Sequence, residues 1–462
     1  MAGVAGVYGK NAALKAFHML FNTQTRGQEN CGMAAAGNHT VRKYCGKGLL
    51  SAVFDEDVRG AFFHPTDYVA IGHVGSKRVE SENIAPVKAE SDNYEIAVAM
   101  DGAISSGMGA ERKVRFESNE AFYSAIFLDN LEKSCDIGTA VAKTARELGK
   151  GYYSVVIAVR DKEKERSTLT AYRNLRGIKP LYVKRTENEL YVSSESGATD
   201  CITSDKVLEE RDVTPGELLV RGKNGIADEQ LFEPKRAHCV FEWVYTARPD
   251  AVMEGFNAHT VRKKLGHALA ELHGLRDDGN SVVIGIPDSG RSVALGIHEA
   301  SGIPFDEGLI KNQFVGRTYD MPKEAQRRFF ADMKHNPIYE VVKGRRVYIG
   351  DDSIVRGTIS DAVAKRLLNA GAKEVNLAIS YAPIFEPCFS DEPDKKLAAK
   401  PYRGLDVFEI GRKVAEGLPS ISNVLYNTVE NVVKAVGLPE EWFCTYCITG
   451  KNPFEDMDAK NG

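Results

Sequence analysis

The run Gly350-Asp351-Asp352-Ser353-Ile354-Val355-Arg356-Gly357-Thr358-Ile359-Ser360 constrains the fold more than any other stretch of the chain. It follows the apolar, strand-like Val347-Tyr348-Ile349 and precedes a helix-like segment, Asp361 to Ala370, closed by Gly371. A strand-to-helix turn with carboxylates first and hydroxyls last has the makings of a sugar-phosphate site. The helix start offers free backbone N–H groups and the positive end of the helix dipole to a phosphate. Gly357 lets the backbone approach closely, and Thr358 and Ser360 add hydroxyl donors. Asp351 and Asp352 can accept hydrogen bonds from ribose hydroxyls or help hold Mg2+. Acidic residues are also common at strand ends, and Ser or Thr often only caps a helix. The residues alone therefore leave a plain capped turn open.

The surrounding pattern predicts two kinds of architecture. From about Val282, apolar strands alternate with helices: a strand over Val282 to Ile286, a helix over Ser292 to Ser301, the turn above, and a strand over Val375 to Tyr381. Such alternation indicates a mostly parallel sheet covered on both faces. The first half carries short strand-like runs at Ala5 to Tyr8, Glu95 to Ala99, Tyr152 to Val159, Leu169 to Tyr172 and Leu190 to Ser193. Helical periodicity fits Ala12 to Phe21 and Asn119 to Leu131, so a layered α+β domain is expected there. A chain of 462 residues suits two domains. The polar segment Asp228 to His238 marks the junction, dividing the chain into residues 1–232 and 233–462.

Composition excludes several classes of function. With 43% hydrophobic and 27% charged residues and a net charge of −4, the chain reads as an ordinary globular protein. It has no basic footprint for nucleic acid or an acidic membrane surface. No apolar stretch is long enough to span a bilayer, and the N-terminus lacks the pattern of a signal peptide. A cytoplasmic location is expected. The 8 cysteines, without an export signal, argue against a disulfide framework. Cys444-Thr445-Tyr446-Cys447 has a spacing that suits one metal centre, and Cys239 and Cys388 could complete four thiolates. The spacing leaves both Zn2+ and an iron–sulfur cluster open.

Two further stretches carry charge at suggestive places. Gly285-Ile286-Pro287-Asp288-Ser289-Gly290-Arg291-Ser292 ends the first strand of the second half and offers either an anion site at a helix start or a capped turn. Lys311-Asn312-Gln313-Phe314-Val315-Gly316-Arg317-Thr318-Tyr319 places basic residues around Gly316. That suits a mobile lid, although such runs are more often solvated faces.

Taken together, these stretches resemble type I phosphoribosyltransferases, most specifically the amidophosphoribosyltransferase (glutamine phosphoribosylpyrophosphate amidotransferase) family. The family signature reads V-D-D-S-I-V-R-G-T-T-S where this chain has residues 350–360. The resemblance implies that 5-phosphoribosyl-1-pyrophosphate (PRPP) is held by Asp351, Asp352, Ser353, Arg356, Gly357, Thr358 and Ser360. It implies a pyrophosphate loop with Asp288 and Ser289, and Mg2+ held by Ser289, Asp351 and Asp352. Arg291 departs from the small or polar residue expected in that loop. The family lid reads K-N-R-Y-V-G-R-T-F and closes over PRPP; Lys311, Arg317 and Thr318 match, while Gln313 and Phe314 replace Arg and Tyr. Lys334 matches a lysine that contacts the pyrophosphate. The contexts of Cys239, Cys388, Cys444 and Cys447 resemble the subgroup carrying a [4Fe–4S] cluster, which these four would hold. Cys31, Cys45, Cys135 and Cys201 read as ordinary cysteines.

The first half resembles a class II glutamine amidotransferase domain of the N-terminal-nucleophile type. Arg26-Gly27-Gln28-Glu29, Gly72-His73-Val74, Arg173 to Leu181 and Ser194-Glu195-Ser196 carry that likeness. The implied fold is an α+β four-layer sandwich followed by an α/β type I phosphoribosyltransferase domain with a parallel sheet. Such a sandwich releases ammonia from glutamine with an N-terminal cysteine, whose thiolate attacks the amide. Here position 2 is Ala2. The arginine of G-H-V-R is Gly75, and the oxyanion loop H-N-G-N-L reads Met100-Asp101-Gly102-Ala103-Ile104. Asp101 would repel a developing oxyanion. The acidic position of S-D-S-E falls at Ser118. A change at position 2 alone would not explain the other three, so a glutaminase that has lost its chemistry is expected, with Arg26 kept for structure.

The function expected from the resemblance is phosphoribosyl transfer from PRPP with release of pyrophosphate, in purine synthesis. Ammonia, free or from a separate ammonia-supplying protein, would be the acceptor and 5-phosphoribosylamine the product. Two alternatives stay open: a divergent paralogue using another small nucleophile in specialised metabolism, and a non-catalytic PRPP-sensing regulator or partner-binding protein. The resemblance also implies a homo-oligomer, a dimer or tetramer.

Overall fold

The computed structural model of the protein describes residues 2–37, 39–77, 79–106, 116–200, 202, 205–312, 334–389 and 396–455. Its contacts divide into two compact units. One comprises Met1–Cys239 with Ala251–Gly255 and Pro453–Gly462; the other comprises Val240–Asp250 with Phe256–Asn452.

The first unit is built on two antiparallel sheets. Strands β1 (Ala2–Tyr8), β2 (Asn30–Ala36), β3 (Val41–Lys47), β4 (Val69–Gly75), β9 (Tyr182–Arg185), β10 (Leu190–Ser193) and β11 (Glu209–Asp212) form a seven-stranded sheet. Its order is β11-β9-β10-β1-β4-β2-β3. Strands β5 (Val87–Glu90), β6 (Tyr94–Ser106), β7 (Lys150–Asp161), β8 (Arg166–Arg173), β12 (Glu217–Gly222) and β13 (Gly225–Gln230) form a six-stranded sheet, ordered β13-β12-β8-β7-β6-β5.

Side-chain alternation stacks these sheets. Along β6, Ala97 and Ala99 pack with Val4, Ala34 and Ile71 of the other sheet, while Ile96, Val98 and Met100 pack under the helices Asn119–Ser134 and Ile137–Leu148. On the far side, Ala5 and Val7 of β1 pack under the helix Ala12–Thr23. The result is four layers: helices, sheet, sheet, helices. Strand β2 carries no strong strand pattern because Ala34, Ala35 and Ala36 fill its buried faces, and Ala70 and Gly72 thin out the apolar run of β4. Leu20 sits so close to Gly72 that a methyl group there would lie 2.2 Å from its Cδ1. Close layering selects small residues over the β-branched ones that announce a strand.

The second unit holds a four-stranded parallel sheet, ordered Ser281–Gly285, Arg346–Asp351, Glu374–Ile379, Asn423–Tyr426. One face packs on the helices Ala258–Leu272 and Arg291–Ser301 through Val283, Val293, Ile297 and Ala378. The other packs on Thr358–Asn369 and Val407–Glu416 through Ile284, Ile349, Leu367 and Val414. A single parallel bridge joins Val283 to Phe305 on the outer side of the first strand. The chain therefore leaves the Ser281–Gly285 strand in one direction, towards Phe305, and resumes on its other side at Arg346. Carboxyl ends of strands flanking such a reversal border the crevice where open α/β sheets bind ligands. Among the described residues, no helix is long and apolar enough to cross a membrane.

Candidate active site

The two acidic loops of the second unit meet at this reversal. Gly285 and Gly350 are paired in register at the carboxyl ends of neighbouring parallel strands. The Ile286 N–H donates to Gly350 O at 3.0 Å. A methyl group on Gly290 would lie 2.0 Å from Gly350 O, so only glycine lets the loops come this close. Gly357, at φ 79°, turns the second loop into the Thr358–Asn369 helix.

Within that loop Asp351 is half-buried and Asp352 is 8% exposed. The Asp352 N–H donates to Asp351 Oδ1 at 2.9 Å, and Ser353 Oγ donates to Asp352 Oδ1 at 2.8 Å. From the next strand end, Ser380 N–H donates to Asp351 O and Tyr381 N–H to Asp352 O, both at 3.0 Å. Burial, and then the neighbouring Asp352, holds the Asp351 carboxyl well above the usual range. Burial raises Asp352 too, against the pull of Ser289, Ser353 and Arg262. Two adjacent carboxylates with a hydroxyl in reach form a hard oxygen donor set. Mg2+ is commonly held by one or two carboxylates together with substrate phosphates, so the residues fit that ion. Ser360 is half-buried, and Arg356 and Thr358 are exposed at the helix start.

Cations gather beside the other loop. Lys311 Nζ lies 2.5 Å from Asp288 Oδ2. The short antiparallel strands Leu309–Lys311 and His335–Pro337 pair Lys311 with His335, and Asn312 N–H donates to Lys334 O at 2.7 Å. Burial and the charges of Lys334 and Lys311 lower His335 to about 4, so a neutral imidazole sits beside two lysines. Arg317 and Thr318, with Gln313 and Phe314, lie outside the described residues.

Three of the four cysteines in question share the second unit. Phe385 and Glu386 N–H groups donate to Cys447 O at 2.9 and 3.1 Å, and Phe389 stacks on Tyr446 with ring centres 4.2 Å apart. The Cys388 segment therefore lies against the Cys444–Cys447 segment. Burial pushes the Cys444 and Cys447 thiols up to about 12, and Cys388 adds to both. Tyr381 Oη lies 3.1 Å from Cys447 Sγ. Among the described residues, no three His, Cys, Asp or Glu side chains converge closely enough to hold a metal ion. The thiols suit an iron–sulfur cluster in type and neighbourhood, without forming a closed site. Cys239 ends the main segment of the first unit.

In the first unit, Ala2, Gly75 and Asp101 come together around Arg26. Ala2 pairs with Gly75 across β1 and β4. Asp101 continues the inter-sheet face of β6, and its side chain is wholly buried. Arg26, equally buried, donates to Asp101 Oδ2 at 2.9 Å, to Glu195 Oε1 at 3.1 Å and to Ala2 O at 2.9 Å. Lys179 Nζ is 3.9 Å from Asp101 Oδ1. Burial lowers His73 to about 4, against the attraction of Asp101. A side chain at Gly75 would meet Asn30, whose Oδ1 lies 2.6 Å from where a β-carbon would stand. Ser118 accepts from Ala121 N–H at 3.0 Å and caps the Asn119–Ser134 helix.

No protein-family model matches the chain. Curated relatives do. It is 34% identical to an amidophosphoribosyltransferase of Methanocaldococcus jannaschii over 98% of both chains. It is 34% identical to that of Methanothermobacter thermautotrophicus over 98% of this chain and 94% of the relative. The chain belongs to the amidophosphoribosyltransferase family. Solved structures agree. One, described as the allosteric regulatory enzyme of purine biosynthesis, matches with a TM-score of 0.83 and 30% identity, over 98% of this chain and 96% of that one. The B. subtilis glutamine PRPP amidotransferase complexed with ADP and GMP matches with a TM-score of 0.81 and 29% identity, over 98% and 97%. The fold is thus an N-terminal-nucleophile-type four-layer sandwich and a type I phosphoribosyltransferase domain with a parallel sheet.

Within this amidophosphoribosyltransferase fold, several participants carry no local signal. Glu195 and Lys179 lie in matched stretches, yet their partnership with Asp101 and Arg26 depends on sheet stacking. Glu307, beside Arg291, and His335, beside Lys311, fall in no motif. The acidic character of Asp101 was a signal for Glu195's environment: a buried aspartate needs a cation, and that cation then has capacity for a second carboxylate.

Proposed function

We propose that this chain transfers the phosphoribosyl group of PRPP to ammonia, releasing pyrophosphate and forming 5-phosphoribosylamine, with no glutaminase of its own. The observation that carries the donor assignment is the meeting of the Asp351–Asp352 loop and the Asp288–Lys311 pair at the sheet's reversal. The names of the relatives support the reaction and its place in purine synthesis, and lend nothing to a different nucleophile or to a non-catalytic sensor.

In this reading the 5-phosphate sits on the start of the Thr358–Asn369 helix, where N–H groups and the Thr358 and Ser360 hydroxyls face it. Asp351 and Asp352 accept from the ribose hydroxyls. Ser289, Asp351 and Asp352 would hold Mg2+, which when bound neutralises charge on the pyrophosphate. The C1–oxygen bond breaks with its electron pair going to pyrophosphate. The ammonia nitrogen bonds to C1 and gives up a proton to water. Lys311 and Lys334 counter the charge gathering on the leaving group, with Arg317 and Thr318 of the lid assigned the same task from sequence.

The glutaminase is proposed inactive because Ala2 has no nucleophile and Arg26 already directs its donors to Asp101, Glu195 and Ala2 O, with a buried carboxylate where an oxyanion would need donors. Pyrophosphate release from PRPP should be stimulated by ammonia, and glutamine should do no better than buffer. In the Ala2→Cys protein, glutamate release should remain about 10³-fold or more below that of a relative with an intact site. Family-like glutamine hydrolysis by that variant would overturn the proposal.

We also propose a structural [4Fe–4S] cluster on Cys239, Cys388, Cys444 and Cys447; the grouping of the last three supports it, and Cys239 enters from sequence context. Protein purified without oxygen should contain iron and acid-labile sulfide, and Cys444→Ser should lose both. Equal iron in the two proteins would sink the assignment. A homo-oligomer, Mg2+ dependence and a cytoplasmic location complete the reading.

A further inference from the structure

Arg291 is the charged residue of the Asp288 loop that the donor assignment leaves unused. Its guanidinium stands on the first turn of the Arg291–Ser301 helix, with Nη1 3.7 Å from Asp288 Oδ1 and Nε 3.3 Å from Glu307 Oε1. The other oxygen of Asp288 is taken by Lys311 at 2.5 Å. One carboxylate thus collects cations from two different elements, and Glu307 restrains one of them.

These pairs are made to be exchanged. The side chains of Arg291, Asp288, Glu307 and Lys311 are 48, 62, 50 and 35% exposed, so solvent screens their attraction. A diphosphate carries more charge than either carboxylate and presents oxygens that match the fork of a guanidinium. The loop is also anchored. Its Ile286 N–H and Gly290 Cα are pressed against Gly350, one residue before Asp351, so the base of the Arg291 helix is held beside the acidic pair.

We infer that Arg291 is a binding residue for the diphosphate group of the donor, exchanging Asp288 and Glu307 for that anion when it enters. The inference rests on the PRPP reading above and deepens it. Isothermal titration of the whole protein with Mg2+ and inorganic pyrophosphate, PRPP or ribose 5-phosphate tests it. Arg291→Gln should weaken pyrophosphate and PRPP binding by about tenfold, the loss of one charge-assisted contact. Ribose 5-phosphate, which lacks the diphosphate, should bind as before. Arg291→Lys should fall between, and Glu307→Gln, which frees the guanidinium, should tighten pyrophosphate. If wild type binds PRPP and Arg291→Gln binds pyrophosphate equally well, the inference is wrong while the donor reading stands. If wild type binds neither PRPP nor pyrophosphate, the donor reading fails and takes this inference with it.

Discussion

Replacing Arg26 by leucine is expected to destabilise the first unit by about 3–5 kcal/mol, the usual result of removing one partner from a buried ion pair. The guanidinium, Asp101 and Glu195 have no exposed side-chain surface. Without Arg26, two carboxylates would remain in a low-dielectric layer between sheets, with Lys179 3.9 Å away as a partial counterion. They would have to take up protons or open the layer. Denaturant unfolding followed by a probe in this unit should show the loss. Adding Asp101→Asn and Glu195→Gln to Arg26→Leu should recover part of it, because the cost comes from unpaired charge rather than lost contact. A change below about 1 kcal/mol in the single variant would refute the account.

Asp352→Asn is expected to lower ammonia-dependent pyrophosphate release by about 10²–10³-fold, comparable to the loss of one preorganised polar group in an active site. It should do so without harming the fold. Asp351 and Asp352 are both raised in the folded chain, mainly by burial. For a carboxyl raised on folding, the folded state binds the proton more tightly, so stability falls as pH climbs from the ordinary aspartate value towards the folded one. Removing one charge relieves that decline. The variant should therefore melt no lower than wild type at neutral pH, and its stability should fall less between acid and neutral solution. Release within about threefold of wild type would remove Asp352 from the site. A lower melting temperature would show that the acidic pair serves the fold.

Much of the second unit was legible in advance because its signals are local. A parallel strand buried on both faces is an apolar run, and Val347-Tyr348-Ile349 is one. The helix expected over Asp361 to Ala370 forms and starts earlier than expected, at Thr358 directly after Gly357. The strands β6, β7 and β8 were foreseen in part and run longer than expected, since pairing extends them past their most apolar residues. Strand β2 is hidden in the sequence, because its buried alanines serve tight layering and give no strand pattern.

The chemistry on offer was written in the order of residues: an acidic turn after an apolar strand, a glycine before a helix, and a methyl group where a thiol is needed. Each depends on neighbours a few positions away, so a short stretch suffices to specify it. Which groups face one another was decided only by the tertiary structure. Arg26 finds Asp101 75 residues away and Glu195 169 residues away because two sheets stack through small side chains. The loops of Gly285 and Gly350 meet because the chain reverses direction across its sheet. Burial of the whole apolar pattern selects those pairings, and no local preference encodes them.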